Sequence, residues 1–263
     1  LDQRSSRGFD PNKPNAARLY DYYLGGKDNF PADRAAAEKI LRVAPELRAA
    51  ARANRAFLGR AVRHLSGQGI TQFLDIGTGL PTQGNVHEVA PPGARVAYVD
   101  NDPVVLVHAR ALLALDSDTS VVQGDLRHPE EILKDGELGI DFDRPVGILL
   151  VAVLHFVARS EDPGRIIATL RDAMAPGSFL VLSHGTSDAR AAAVTKGTEV
   201  YQNSASPLTL RSRDEIAAMF DGFALEEPGV VWLPEWRPDD TDMIDFPGQP
   251  EKSLILCGIG RKT

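Results

Sequence analysis

The chain has 263 residues, of which 43% are hydrophobic and 25% charged, with a formal net charge of −7. These proportions suit one large globular domain, or a core with an appendage, and argue against a broad nucleic-acid surface or a membrane span, since no apolar run approaches the ~20 residues a bilayer needs. A single cysteine, Cys257, excludes an internal disulfide framework and any cysteine-cluster zinc site.

In chain order, Leu1 to Pro14 is polar and lacks the apolar core of a secretory signal, so the expected setting is the cytoplasm. Tyr20 to Phe30 is dense in tyrosine, glycine and charge. Gly25-Gly26 gives a flexible turn there, Tyr22 or Tyr23 is suited to stack on a ligand, and Lys27 or Arg18 to meet a carboxylate. We therefore expect this segment to act as a lid. After Asp33, alanine, leucine and arginine dominate through His64. Leu41, Leu47, Ala51, Phe57, Leu58, Val62 and Leu65 recur at helical spacing, which predicts two or three helices ending near Ser66-Gly67-Gln68-Gly69. The arginines from Arg42 to Arg63 read as their solvated face. Residues 1–70 thus form a helical segment ahead of a main domain over 71–263.

From residue 71 the pattern alternates. Strands are expected at Gln72–Ile76, Arg95–Val99, Ser120–Val122, Val146–Val153 and Phe179–Ser183, with helices at Asn85–Val89, Val104–Leu115 and Arg165–Met174. Alternation of this kind predicts an α/β fold with an open, doubly wound, Rossmann-like parallel sheet. After a helix at Arg213–Phe220, Gly229–Leu233 and Ser253–Ile259 flank a loop without a helix, which predicts an antiparallel pair at the sheet edge. Cys257 lies inside the second of these and reads as a buried thiol.

The chemistry concentrates where strands end. Phe73-Leu74-Asp75-Ile76-Gly77-Thr78-Gly79 is an apolar strand running into a carboxylate and a glycine turn, where a ligand can approach the backbone closely. About 25 residues on, Val96-Ala97-Tyr98-Val99-Asp100 places a second acid where nucleotide-binding folds hold ribose hydroxyls. A third acid, Asp125, follows Val122-Gln123-Gly124. The dinucleotide fingerprint wants a third small residue where this chain has Thr82, and Asp75 suits a cofactor carrying an ammonium and a sulfonium better than a pyrophosphate. The three acids in register therefore point to S-adenosylmethionine, with Asp75 near its methionine end, Asp100 on the ribose and Asp125 on the adenine amino group.

Longer segments carry a resemblance. They include Asn15-Ala16-Ala17-Arg18-Leu19-Tyr20-Asp21-Tyr22-Tyr23-Leu24-Gly25-Gly26-Lys27-Asp28-Asn29-Phe30, Asp75 through Thr82, Asn85-Val86-His87-Glu88-Val89-Ala90, Tyr98-Val99-Asp100-Asn101-Asp102-Pro103 and Pro176 through His184. With them the chain resembles the actinobacterial S-adenosyl methyltransferase family once known only as a domain of unknown function, within the seven-stranded class I methyltransferases. That resemblance implies a methyltransferase-like fold with the cofactor bound at Gly77, Gly79, Asp100 and Asp125; to these we add, as expected cofactor contacts, Asp75, Asn101 and Leu126 and, from the lid, Tyr23, Gly25 and Lys27. It implies transfer of a methyl group but names no acceptor, and the acidic charge favours a small molecule.

Methyl transfer from a sulfonium needs a base only when the nucleophile carries a proton. His155, after the central strand, is the first candidate for that base, with His184 at the next strand end behind it. Leu154-His155-Phe156-Val157 stands where amine methyltransferases carry an Asn/Asp-Pro-Pro-Tyr motif, which argues against methylation of the amino groups of adenine or glutamine. His87 and Glu88 are helix neighbours without a third ligand, and no metal is expected. Trp232 and Trp236 read as edge packing. Two other readings compete: a protein that binds the cofactor or its demethylated product without turnover, and a nicotinamide oxidoreductase, which Asp75, Thr82 and the antiparallel ending disfavour.

Overall fold

The computed structural model describes residues 10–81, 84–113, 118–189, 207–239 and 245–263. Thr82, the end of the expected helix beyond Leu113, and part of the Pro234–Pro250 loop lie outside them. Three helices come first: α1 (Ala16–Tyr23), α2 (Pro31–Leu41) and α3 (Leu47–Gly67). Then β1 (Gln72–Ile76), β2 (Arg95–Asp100), β3 (Thr119–Gln123), β4 (Gly147–Val151) and β5 (Phe179–Gly185) alternate with α4 (Val86–Val89), α5 (Pro103–Leu113), α6 (Pro129–Leu133) and α7 (Pro163–Ala173). The chain closes with α8 (Arg213–Ala217), β6 (Ala224–Leu225), β7 (Val231–Trp232) and β8 (Ile255–Arg261).

The strands join in the order β3-β2-β1-β4-β5-β8-β6, with β7 also on β8. β1 to β5 are parallel, and β8 is antiparallel to β5. The antiparallel ending is present with a refinement. β8 is not the outer strand but is sandwiched, because β6 and β7 share its far side. Chain order reverses between β1 and β4, which opens a crevice at their carboxyl ends.

Alternation along the strands sorts the core into two layers. Leu74 and Ile76 of β1, Ile148 and Leu150 of β4, and Leu180 and Leu182 of β5 face α7 and the α8 region. Phe73, Val96, Tyr98, Leu149 and Val181 face α3, meeting Phe57, Leu58, Ala61, Val62 and Leu65. The same period of two puts Asp75 on the α3 side, two residues after Phe73, and Asp100 there too, after Val96 and Tyr98. The first helices thus cover the face that carries both acids.

Two arginines of α3 correct the expectation of a solvated face. Arg60 is 5% exposed and donates to the Trp236 carbonyl at 2.9 Å and the Leu233 carbonyl at 2.7 Å. Arg55 turns towards the strand ends. By contrast Arg48, Arg52 and Arg63 pair at the surface with Glu38, Asp245 and Asp239. Trp236 is wholly buried, with its ring edge-on to Phe57 at 5.6 Å. Trp236→Ala should therefore cost about 3–5 kcal/mol, read as a lowered urea midpoint, because the cavity cannot collapse between α3 and β8. Cys257 is buried, and burial pushes its thiol well above the usual range, so it is chemically quiet.

Candidate active site

A cavity of about 480 Å³ opens at the carboxyl ends of the parallel strands, within the ~300–1,000 Å³ typical of small-ligand clefts. Its walls include Asp75, Gly77 and Gly79 after β1, Asp100 and Asn101 after β2, and Asp125 and Leu126 after β3. Tyr23 and His155 also line it, whereas Gly25 and Lys27 do not.

The turn after β1 is built by its glycines. Gly77 has φ +74° and Gly79 φ +67°, a region that side chains with a Cβ enter at a cost. At Gly77 a Cβ would also lie 2.2 Å from Val153 Cγ2, so turn and cavity wall interlock. Asp100 clamps this turn from the neighbouring strand. Its Oδ2 accepts from the Gly79 N–H at 2.9 Å, and its Oδ1 from the Asp102 N–H at 2.9 Å. Asp75 accepts from the Thr78 hydroxyl at 3.0 Å. Burial pushes both carboxyls up to about 6, the hydrogen bonds offsetting only part of the desolvation. Asp125 sits nearer solvent. Burial pushes it up, but the Arg127 guanidinium, at 2.6 and 2.8 Å, outweighs that and holds it below the usual carboxylate range.

The expected base is differently employed. His155 is buried, and its Nδ1 accepts from the Gly185 N–H at 3.2 Å, which leaves the proton on Nε2. Burial, then the neighbouring His184 and Arg211, hold its pKa well below the usual value. This is a neutral ring set to donate, not to accept. His184 lies deeper. It donates from Nδ1 to the Gly185 carbonyl and accepts at Nε2 from Arg211, which also donates to the Leu154 and Val157 carbonyls. That pair fixes the turn after β4 to β5. His87 bonds the Tyr98 hydroxyl, Glu88 caps α4, and no cluster of three metal-ligating side chains occurs among the described residues.

Segment 18–30 is tied down by buried polar contacts. Arg18 is 2% exposed; its Nε donates to Asp33 at 2.8 Å and its Nη1 to Asp102 at 3.5 Å, so its charge is engaged by two carboxylates, of which Asp102 lines the cavity. Asp21 accepts from the Asn29 side chain and the Asp28 N–H. Lys27 is exposed.

Asn54 and Arg55, which belong to no motif, line the cavity beside Tyr20. The Tyr20 hydroxyl donates to the Ala51 carbonyl at 3.0 Å and accepts from Asn54 Nδ2 at 2.9 Å. Asn54 Oδ1 accepts from the Ser183 hydroxyl at 2.6 Å, which itself accepts from the Ala152 N–H at 2.9 Å. Ala152 is held at φ 57°, and this is why β4 stops before the expected Val153. The helical spacing of Ala51, Arg55, Leu58 and Val62 puts Arg55 on the buried stripe, a signal that its charge hid.

Comparison with known proteins fits this geometry. A family model described as S-adenosyl methyltransferase matches residues 2–263. The chain belongs to that family. A crystal structure from Thermobifida fusca YX, provisionally described as a methyltransferase, superposes with a TM-score of 0.90 at 43% identity, covering 100% of both chains. A DUF574 family protein from Streptomyces avermitilis MA-4680 superposes with a TM-score of 0.91 at 39% identity, covering 97% of this chain and 99% of that one. No curated protein matches the chain. As a member of this S-adenosyl methyltransferase family, the chain is an S-adenosylmethionine-dependent methyltransferase. The residues present fit that cofactor: a glycine cradle that a Cβ would fill, ionisable carboxyls beside it, and a cation, Arg55, on the facing helix.

Proposed function

We propose that this methyltransferase acts on a small molecule and holds S-adenosylmethionine across the ends of β3, β2 and β1. The cavity at those ends, with Asp100 clamping the Gly77–Gly79 turn, carries this reading. When bound, the cofactor supplies a methyl group already activated on a sulfonium. Leu126 and Asp125 are assigned to the adenine, Asp100 and Asn101 to the ribose, and Asp75 with the glycine turn to the methionine end. Arg55 supplies positive charge for the carboxylate. His155 is assigned a wall and hydrogen-bond donor role in place of the base. We read residues 1–70 as a fixed wall of the same compact unit as 71–263, supported by Arg18 bridging to Asp102. A cytoplasmic setting is our reading, since the cofactor is an intracellular metabolite; among the described residues no helix is long and apolar enough to cross a membrane.

Isothermal titration tests the cofactor assignment. S-adenosylhomocysteine should bind and NAD should not; binding of NAD, or of neither, overturns it. Transfer of a labelled methyl group from S-adenosylmethionine into a metabolite extract should then label species below peptide size, and label found only in macromolecules would refute a small acceptor.

A further inference from the structure

The cavity is not uniform. Its cofactor half lies over β3, β2 and β1, and since neighbouring strands are ~4.8 Å apart, the ends of β4 and β5 extend it by about another 10 Å. Over those ends the walls change character. Tyr20 and Tyr23 of α1, Ile40 of α2, Leu47 of α3, Phe156 after β4 and Leu208 all line it. These six also belong to one apolar cluster separate from both sheet layers, in which Phe156 and Leu208 pack against the helices. The Thr209 N–H, next to Leu208, donates to the His155 carbonyl at 2.7 Å, which pins that wall to the turn after β4.

The polar atoms of this half are mostly partnered already, and His155 adds a neutral Nε2–H donor. The Tyr20 hydroxyl is bonded to Ala51 and Asn54, Asn54 to Ser183, and His155 Nδ1 to Gly185. Most ionised groups sit towards the other end, with Asp75 beside the glycine turn and Glu161 with Arg127 at 3.5 Å near Asp125, while Arg55, whose charge reaches Tyr20, stands at the boundary. A cation placed among the apolar residues would lose its hydration without meeting a carboxylate, and an anion would find only Arg55 at the boundary, which is assigned to the cofactor carboxylate.

We propose that the compartment bounded by α1, α2, α3 and the turn after β4 is the acceptor subsite, and that it takes an uncharged, largely apolar, ring-bearing molecule. Tyr23 then belongs to acceptor recognition and not to the cofactor. Aromatic walls favour a flat ring, which they can meet face or edge. The proposal rests on the cofactor occupying the other half.

A charge series on one ring tests it. With the protein saturated by S-adenosylhomocysteine, indole, tryptamine and indole-3-acetate are titrated and followed by calorimetry and saturation-transfer NMR. Indole should bind at least tenfold more tightly than either charged analogue. Leu208→Glu, at the half-buried rim, should weaken indole at least tenfold, bring tryptamine level with it or ahead, and leave S-adenosylhomocysteine affinity within twofold. Absence of indole binding, or a charged analogue binding as well to the wild type, overturns the proposal; the wild-type series decides this even if the variant does not fold. Failure of S-adenosylhomocysteine itself to bind would overturn the cofactor reading first, and with it this one.

Discussion

Gly77→Ala is expected to lower S-adenosylhomocysteine affinity at least 100-fold and to destabilise the fold by several kcal/mol. Two costs add. A residue with a Cβ pays about 1–2 kcal/mol to hold φ +74°. The new Cβ would also sit 2.2 Å from Val153 Cγ2 and 2.7 Å from Val153 Cβ, and relieving such overpacking costs about 1–3 kcal/mol more. Because Val153 is itself a cavity wall, the relief displaces the wall, and the loss reaches binding as well as stability. Gly79→Ala provides the contrast. Its φ is +67°, but the nearest atom to its new Cβ is Ala17 Cβ at 4.0 Å, so only the backbone cost applies. Val153→Ala combined with Gly77→Ala should recover the overpacking part, a coupling that a double-mutant cycle in urea isolates. Gly77→Ala protein that binds within threefold of wild type would sink the argument.

The second large effect is at Asp100. Asp100→Asn should weaken S-adenosylhomocysteine about 100-fold, because an amide offers one acceptor and one donor where the carboxylate accepts two backbone N–H groups. The wild type should also show a pH signature. Burial raises the folded carboxyls of Asp75 and Asp100 from 3.8 to about 6. Their contribution to stability without ligand is therefore fully present below about pH 3.8 and lost as pH rises through about 6. A ligand that uses the ionised forms has the opposite preference. Affinity should fall as pH drops from 7.5 to 5, and at pH 5.5 binding should expel protons. Calorimetry in two buffers of different protonation enthalpy counts those protons. Asp100→Asn should reduce the pH dependence and leave the part due to Asp75, and a flat wild-type profile would refute the assignment.

The sheet was legible because its signals are local. Short apolar runs between helical stretches gave β1, β2, β3 and β5 to within two residues, and the strand-ending acids with the glycine turn marked the cavity mouth. What escaped depends on distant partners. β4 is shorter than its apolar run because Ser183 holds Ala152 in a left-handed conformation. Helix α6 is short and went unread. Arg55 and Arg60 resemble surface arginines until Trp236 and the strand ends are packed against them. His155 stands where a base would, yet Gly185, 30 residues on, takes its Nδ1. Arg18, expected to face a ligand, is claimed by Asp33 and Asp102.

The chain of hydrogen bonds from Tyr20 through Asn54 and Ser183 to Ala152 joins parts of the sequence up to 163 positions apart. Replacing one member by an apolar residue strands the next donor or acceptor in the dry interior, whereas replacing all three side chains at once does not. Tyr20, Asn54 and Ser183 should therefore be inherited as a set: lineages that have changed one will have changed the others, and a single reversion will be worse tolerated than the full exchange.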